Sequence, residues 1–235
     1  MFIMDNLQLL ILCGGLSTRI NKLTKRTPKS LLKFKKKPFI FYQLQWLKKN
    51  NIKKVILLTG YLENKIKKYV KEKFRTLDIL FVKDGKNLKG TAGAILNAKK
   101  YLDNYFLVMN GDTFPLIKIK NLVDTYYKNK KMNTVVIKKN NKCYLQSNIK
   151  IKKKLITFYE KDKTNSSKFI DYGIQLFNKK DFLNACDKKS YQMIDNIYIK
   201  LIKKKKLTYY KTNKNFFEIG SYKGIKEFKN YLYKK

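Results

Sequence analysis

The sequence predicts an α/β fold: a central mixed, mostly parallel sheet flanked by helices, within a single domain of 235 residues. Three observations carry that expectation. Short apolar runs alternate with helical stretches through the first half, the order of βαβ units. Several of these runs end in small or polar turns carrying glycine, at Gly14-Gly15, Gly60 and Gly111. The second half then offers several strand candidates with short lysine- or asparagine-rich connections, which suit antiparallel or mixed additions to a sheet.

In chain order, Leu9 to Cys13 is an apolar strand feeding a glycine-rich loop. Leu31 to Phe34 is a short strand and Lys35 to Pro38 a turn. Phe39 to Asn50 carries Phe39, Tyr42, Leu44, Trp46 and Leu47 at roughly helical spacing. Strands at Lys53–Thr59 and Leu77–Val82 flank a charged helix at Leu62–Lys73. A helix at Gly90–Lys99 precedes the strand Tyr105–Met109. Beyond it come a helix at Lys118–Lys130 and strands at Asn133–Lys138, Tyr144–Ile151, Leu155–Glu160 and Phe169–Phe177. A helix at Tyr191–Lys203, strands at Leu207–Tyr210 and Phe216–Ile219, and a closing helix at Tyr222–Tyr233 complete the pattern.

Composition narrows the function. No run of 18 apolar residues exists, so no membrane-spanning helix is expected. Cys13, Cys143 and Cys186 are scattered, and there is no histidine. That argues against a structural zinc site and a Cys–His catalytic pair, and the cytoplasm is the expected address. The formal charge of +39 invites a nucleic-acid reading. Yet only Arg19, Arg26 and Arg75 are arginines; the other basic residues are lysines spread along the chain beside abundant Asn, Ile, Tyr and Phe. That is the residue set of A/T-rich codons, so no nucleic-acid partner is expected. A basic field still raises encounter rates with anionic substrates.

The chemistry centres on Leu9 to Lys29. Glycines at Gly14 and Gly15 let backbone N–H groups approach an anion. Arg19 at one end of the loop and Lys29 at the other suit a polyphosphate, the first as a fork and the second as a point charge. In isolation, Gly14-Gly15 describes a tight turn that binds nothing; the whole spacing to Arg19 and Lys29 is what favours a ligand. Asp112, after an apolar strand, is placed to bind Mg²⁺, or else caps the following segment. Glu218-Ile219-Gly220 ends the late strand FFEIG, and Glu218 could supply a second carboxylate. Gly90 to Ala94 opens a helix with little side-chain bulk, which suits either a ligand or close helix–sheet packing. Glu160-Lys161 follows a strand, and Asp171-Tyr172-Gly173 opens another.

The segments CGGLSTR, TPKSLL, KKPFIFYQLQWL, GTAGAI, MNGDTF, FYEKD, DYGIQLF and FFEIGSYKGIKEF occur in this order. In that order they resemble the sugar-1-phosphate nucleotidyltransferases, over about Leu9 to Tyr233. The likeness is greatest to the short heptose 1-phosphate and mannose-1-phosphate guanylyltransferase-like group. The resemblance implies a Rossmann-like nucleotidyltransferase fold, with residues 1–115 as nucleotide-binding half and 116–235 as sugar-phosphate half. Cys13, Gly14, Gly15, Leu16, Ser17 and Thr18 would hold the nucleotide, with Gly90, Thr91, Ala92 and Gly93 near the base. Arg19, Lys29 and Asp112 would be catalytic, and Asp112 and Glu218 would hold Mg²⁺. Asn110, Gly111, Glu160, Lys161, Tyr172 and Gly173 would face the sugar phosphate.

The implied substrates are a nucleoside triphosphate, GTP favoured, and a sugar 1-phosphate. Homo-oligomer formation is left open. Three departures from the family pattern stand out: Ser17 where Gly is usual, Lys22 where Pro is common, and Glu218 where Asp is commoner. Three other readings stay open: a cytidylyltransferase acting on a non-sugar phosphorylated acceptor, a basic nucleic-acid-binding protein, and a catalytically silent relative that senses a sugar nucleotide.

Overall fold

The computed structural model describes residues 7–85, 87–140, 145–160, 167–187 and 191–234. The elements, in chain order, begin with β1 (Gln8–Leu12), α1 (Asn21–Thr24), β2 (Lys33–Phe34), β3 (Lys37–Pro38), α2 (Phe39–Lys49), β4 (Lys54–Thr59), α3 (Glu63–Lys73) and β5 (Asp78–Lys83). They continue with α4 (Gly90–Asn97), β6 (Tyr105–Asn110), β7 (Thr113–Pro115), α5 (Ile119–Lys128), β8 (Asn133–Lys139), β9 (Ile149–Lys152), β10 (Leu155–Tyr159) and β11 (Phe169–Asn178). The last are α6 (Lys179–Ala185), α7 (Ile194–Lys203), β12 (Leu207–Thr212), β13 (Phe216–Glu218) and α8 (Tyr222–Tyr233). No helix among the described residues is long and apolar enough to cross a membrane.

The chain packs as two compact units that interleave in sequence. The first draws on Met1–Leu88, Met109–Pro115 and Phe216–Lys235, the second on Lys89–Val108 and Leu116–Asn215. These boundaries differ from the halves 1–115 and 116–235: residues 89–108 join the second unit and residues 216–235 return to the first.

In the first unit β5, β4 and β1 lie side by side with every pairing parallel, Leu10 opposite Ile56 and Ile56 opposite Leu80. Parallel neighbours need a crossover, and α3 supplies the one between β4 and β5. The face of α2 given by Phe39, Ile40, Gln43, Leu44, Trp46 and Leu47 is buried. Ahead of it, Lys35 and Lys36 both hold positive φ (42° and 64°), closing a two-residue hairpin between β2 and β3. The strand expected from Leu31 therefore shortens to Lys33–Phe34. Lys29–Leu31 instead forms a single 3₁₀ turn after Pro28, with the Leu31 N–H bonded to the Pro28 carbonyl at 2.8 Å.

The end of the chain closes this unit. β13 pairs antiparallel with β7, Glu218 opposite Thr113. Then α8 buries Ile225, Phe228 and Leu232 in a cluster with Ile20, Phe34, Phe39 and Ile219. Phe228 is its hub, with ring centroids 4.9 Å from Phe34 and 5.1 Å from Phe39, both edge-on.

The second unit orders its strands β6-β11-β8-β12-β10-β9. β8 pairs parallel with β12 and antiparallel with β11, and β10 is antiparallel to both β12 and β9. A sheet with both strand directions is what the short connections predict. The strand expected from Tyr144 begins at Ile149, and Tyr144 lies outside the described residues. The helix expected from Tyr191 begins at Ile194, because the Gln192 N–H and C=O are bonded to residues 89–93 instead. Four elements depart from the expectation: α1, in a stretch read as polar loop, β3, in a stretch read as a turn, the short strand β7, and α6, which starts where the Asn178 side chain accepts the Asp181 N–H at 3.2 Å.

Candidate active site

Within the first unit, the loop after β1 is shaped by backbone packed on backbone. Cys13 still bonds the β4 carbonyl of Leu58 at 2.8 Å. A Cβ on Gly60 would lie 2.9 Å from the Gly14 carbonyl oxygen, so these two strand ends abut with no room for side chains. A Cβ on Gly15 would meet nothing within 4 Å, which leaves that face open to a ligand, with Leu16 exposed beside it. Ser17 holds φ +58°, the left-handed region, at the position where the family pattern usually has glycine. Burial pushes the Cys13 thiol up to about 12, against the lowering charge of Lys29. The thiol is therefore protonated and inert near neutral pH.

Thr18–Ile20 then makes a 3₁₀ turn, and fully buried Ile20 anchors it in the aromatic cluster. On the far side Ile219, in the same cluster, follows Glu218. Two buried isoleucines thus fix the backbones that carry Arg19 and Glu218.

The third anchor is the segment from Asn110 to Thr113. The buried Gln43 amide donates to the carbonyls of Asn110 (3.2 Å) and Thr113 (2.9 Å). Gly111 sits so close to β1 that a Cβ there would lie 2.2 Å from the Leu12 oxygen. The Asp112 carbonyl accepts the Ile219 N–H at 2.9 Å, extending the β7–β13 ribbon.

That ribbon brings the charged groups together. Lys29 Nζ lies 2.8 Å from Asp112 Oδ2, both side chains about four-fifths buried (19% and 20% exposed). A Cβ placed on Gly220 would lie 2.8 Å from an Arg19 Nη2, 2.9 Å from Asp112 Oδ2 and 3.0 Å from Glu218 Oε2. One guanidinium and two carboxylates therefore converge on the space that glycine leaves empty. Burial raises the Asp112 carboxyl, but the charge and hydrogen bond of Lys29 and the charge of Arg19 outweigh it. They hold the carboxyl below its usual range, so Asp112 is ionised.

Two carboxylate oxygens facing one small space are hard oxygen donors of the kind Mg²⁺ takes, with the remaining positions left to phosphate and water. The residues present therefore fit a magnesium ion.

The second unit holds the remaining expected residues. A Cβ on Gly90 (φ +72°) would lie 2.5 Å from the Gln192 carbonyl oxygen. That carbonyl accepts the N–H groups of Ala92 (3.0 Å) and Gly93 (3.1 Å), while Thr91 Oγ1 accepts the Ile194 N–H at 2.8 Å. The start of α4 is thus capped by the Gln192 segment, and Gly90 is glycine for close packing. The Glu160 N–H bonds the Asn148 carbonyl at 3.1 Å. Tyr172 is fully buried, its hydroxyl bonded to the Asn215 carbonyl (2.5 Å) and the Leu116 N–H (3.0 Å), so its ring belongs to the packing of this unit. Gly173 holds φ +81°, and its N–H donates to Asp171 Oδ1 at 2.8 Å. Lys161 lies outside the described residues.

Sequence reasoning missed Gln43, Gln192 and Ser221. Ser221 had a readable signal as a helix N-cap. The two glutamines act through contacts between segments 67 or more residues apart, or through a main-chain carbonyl, and neither leaves a local mark.

Residues 8–235 match the family model described as Nucleotidyl transferase. A D-glycero-alpha-D-manno-heptose 1-phosphate guanylyltransferase from Campylobacter jejuni is 41% identical over 108 residues, 46% of this chain and 48% of that protein. The match therefore spans about half the length of that relative. A protein of the same name from Aneurinibacillus thermoaerophilus is 26% identical over 177 residues, 75% of this chain and 76% of its own. The crystal structure of HddC from Yersinia pseudotuberculosis shares the fold at a TM-score of 0.82 and 20% identity, covering 96% of this chain and 99% of that one. A match along nearly all of its length, over a loop and charge cluster of this geometry, makes the chain a member of the nucleotidyl transferase family.

Proposed function

We propose that the protein condenses a nucleoside triphosphate, GTP by preference, with a heptose or hexose 1-phosphate, giving a sugar nucleotide and pyrophosphate. The observation that carries this reading is the convergence of Lys29, Arg19, Asp112 and Glu218 beside an open glycine loop in a member of this family. The names of the two guanylyltransferase relatives support GTP and a heptose. The product would serve surface polysaccharide synthesis in the cytoplasm.

A sugar 1-phosphate oxygen attacks the α-phosphorus in line, and the bond from that phosphorus to the oxygen bridging to the β-phosphate breaks. Its electron pair leaves with pyrophosphate. The nucleophile is already ionised near neutral pH, so no general base is needed, in keeping with a chain that has no histidine. Catalysis is positioning and charge neutralisation. The loop N–H groups from Gly14 to Thr18 hold the triphosphate. Arg19 takes the β- and γ-phosphates, and Lys29 swings from Asp112 onto the α-phosphate. Asp112 and Glu218 hold magnesium, which supplies Lewis-acid charge to the phosphate oxygens when bound. By the resemblance, Glu160, Lys161 and Gly173 would take the sugar phosphate.

The test is pyrophosphate release from GTP, CTP, UTP, dTTP and ATP against mannose, glucose and heptose 1-phosphates and against phosphorylated alcohols and amines. Release that requires GTP together with one sugar phosphate supports the reading. Release only with CTP and a non-sugar acceptor, or none despite bound nucleotide, contradicts it.

A further inference from the structure

We infer that Ser221 is a positioning residue for the Glu218 carboxylate, holding one oxygen toward Asp112 and Arg19; this rests on the magnesium role proposed for Glu218. Glu218 divides its two oxygens. Oε2, the one near Asp112 and Arg19, accepts the Gly220 N–H at 2.5 Å. Oε1 accepts the Ser221 hydroxyl.

A serine hydroxyl has one proton to donate. Ser221 Oγ accepts the Gly224 N–H at 3.0 Å as the N-cap of the twelve-residue α8. The Gly224 bond is an acceptor contact, so the single proton is left for Glu218. The direction of the bond is set by the start of the helix.

Gly224 completes the arrangement. A Cβ there would lie 2.1 Å from Glu218 Oε1 and 2.2 Å from the Glu218 carbonyl oxygen. The glutamate side chain thus folds back over the first turn of α8, and glycine provides the space. Glutamate has one more rotatable bond than aspartate, so an untethered side chain at a strand end would spread over several rotamers. Ser221 and Gly220 remove that freedom. Partners of this kind commonly set metal affinity by tenfold or more.

The experiment is Mn²⁺ titration, followed by electron paramagnetic resonance, of the full chain with α,β-methylene GTP. The comparison covers the unsubstituted chain, Ser221→Ala, Ser221→Gly and Ser221→Thr. Glycine retains most of serine's capping strength but has no hydroxyl, and threonine retains both functions. We expect Mn²⁺ affinity to fall about tenfold in Ser221→Ala and Ser221→Gly and to return in Ser221→Thr. Equal affinity in all four, with the unsubstituted chain binding Mn²⁺, overturns the inference alone. Absence of Mn²⁺ binding by the unsubstituted chain overturns the magnesium reading and this inference with it.

Discussion

Lys29 donates to Asp112 across 2.8 Å, joining the turn after Pro28 to the segment after β6, 83 residues further along the chain. The pair satisfies two charges that are mostly out of water. In the proposed reaction it must open, because both members are needed by the substrate. Lys29→Ala and Asp112→Ala should each lower turnover roughly a hundredfold or more, the usual worth of one charge-stabilising group. In urea unfolding each single variant should lose about 1–2 kcal/mol, since the partner is left without its counter-charge. The double variant should lose clearly less than the sum, because the penalty is shared. Additive losses would show that the two side chains are not coupled in solution.

Glycine substitutions should separate packing from binding. A Cβ at Gly111 collides with the Leu12 carbonyl oxygen, so Gly111→Ala should lose several kcal/mol, about 3 or more, or fail to fold. Gly15 faces open space, so Gly15→Ala should unfold within about 1 kcal/mol of the unsubstituted chain. Its nucleotide affinity should nonetheless fall. Thermal melts and nucleotide titration of both variants check the pair.

Ser17 occupies a left-handed conformation that costs a non-glycine residue about 1 kcal/mol. Ser17→Gly should therefore raise stability slightly or leave it unchanged, despite glycine's greater freedom in the unfolded chain. Its nucleotide affinity should be retained, because the loop backbone keeps its path. A clear loss of stability in a urea titration would contradict the left-handed assignment.

Asp171 sets a pH dependence of the opposite sign to Asp112. Burial raises its carboxyl to about 6, against the N–H of Gly173 and the Tyr198 hydroxyl, which lower it; Asp195 adds a smaller upward push. A carboxyl with a raised folded-state value favours the folded state below its ordinary value near 4, and that contribution is lost as pH rises through 6. Asp112, held low, contributes above its ordinary value and loses that contribution as pH falls. Asp171→Asn should remove the first effect. Relative to the unsubstituted chain it should gain about 1–2 kcal/mol between about pH 4.5 and pH 7.5. Urea midpoints at the two pH values check the sign.

Much of the first unit was legible because its signals are local. The apolar runs at β1, β4 and β5, the helical stripe of α2 and the Gly14-to-Lys29 spacing each lie within a few turns of chain. What was hidden depends on distant segments. That α8 returns to pack Phe228 on Phe34 and Phe39 cannot be read from either stretch alone. In sequence Gly90 suits a ligand as well as packing; the Gln192 carbonyl oxygen, 2.5 Å from where its Cβ would lie, comes from a segment about a hundred residues away. Strand alternation also left the facing of Tyr172 open. A register irregularity between Asp171 and Gln175 interrupts the ladder next to it, and the Asn215 and Leu116 bonds reveal a buried ring. Asp112 and Glu218 are 106 residues apart in sequence, and the β7–β13 ribbon, half of it unexpected, is what joins them.

The central claim is nucleotidyl transfer at the α-phosphorus, and parallel reactions with α-labelled and γ-labelled GTP test it most directly. With heptose 1-phosphate present, the α-label should appear in the sugar nucleotide and the γ-label in pyrophosphate, with Asp112→Asn abolishing both. A γ-label found on the sugar phosphate, or release of GMP without a sugar nucleotide, would contradict the account.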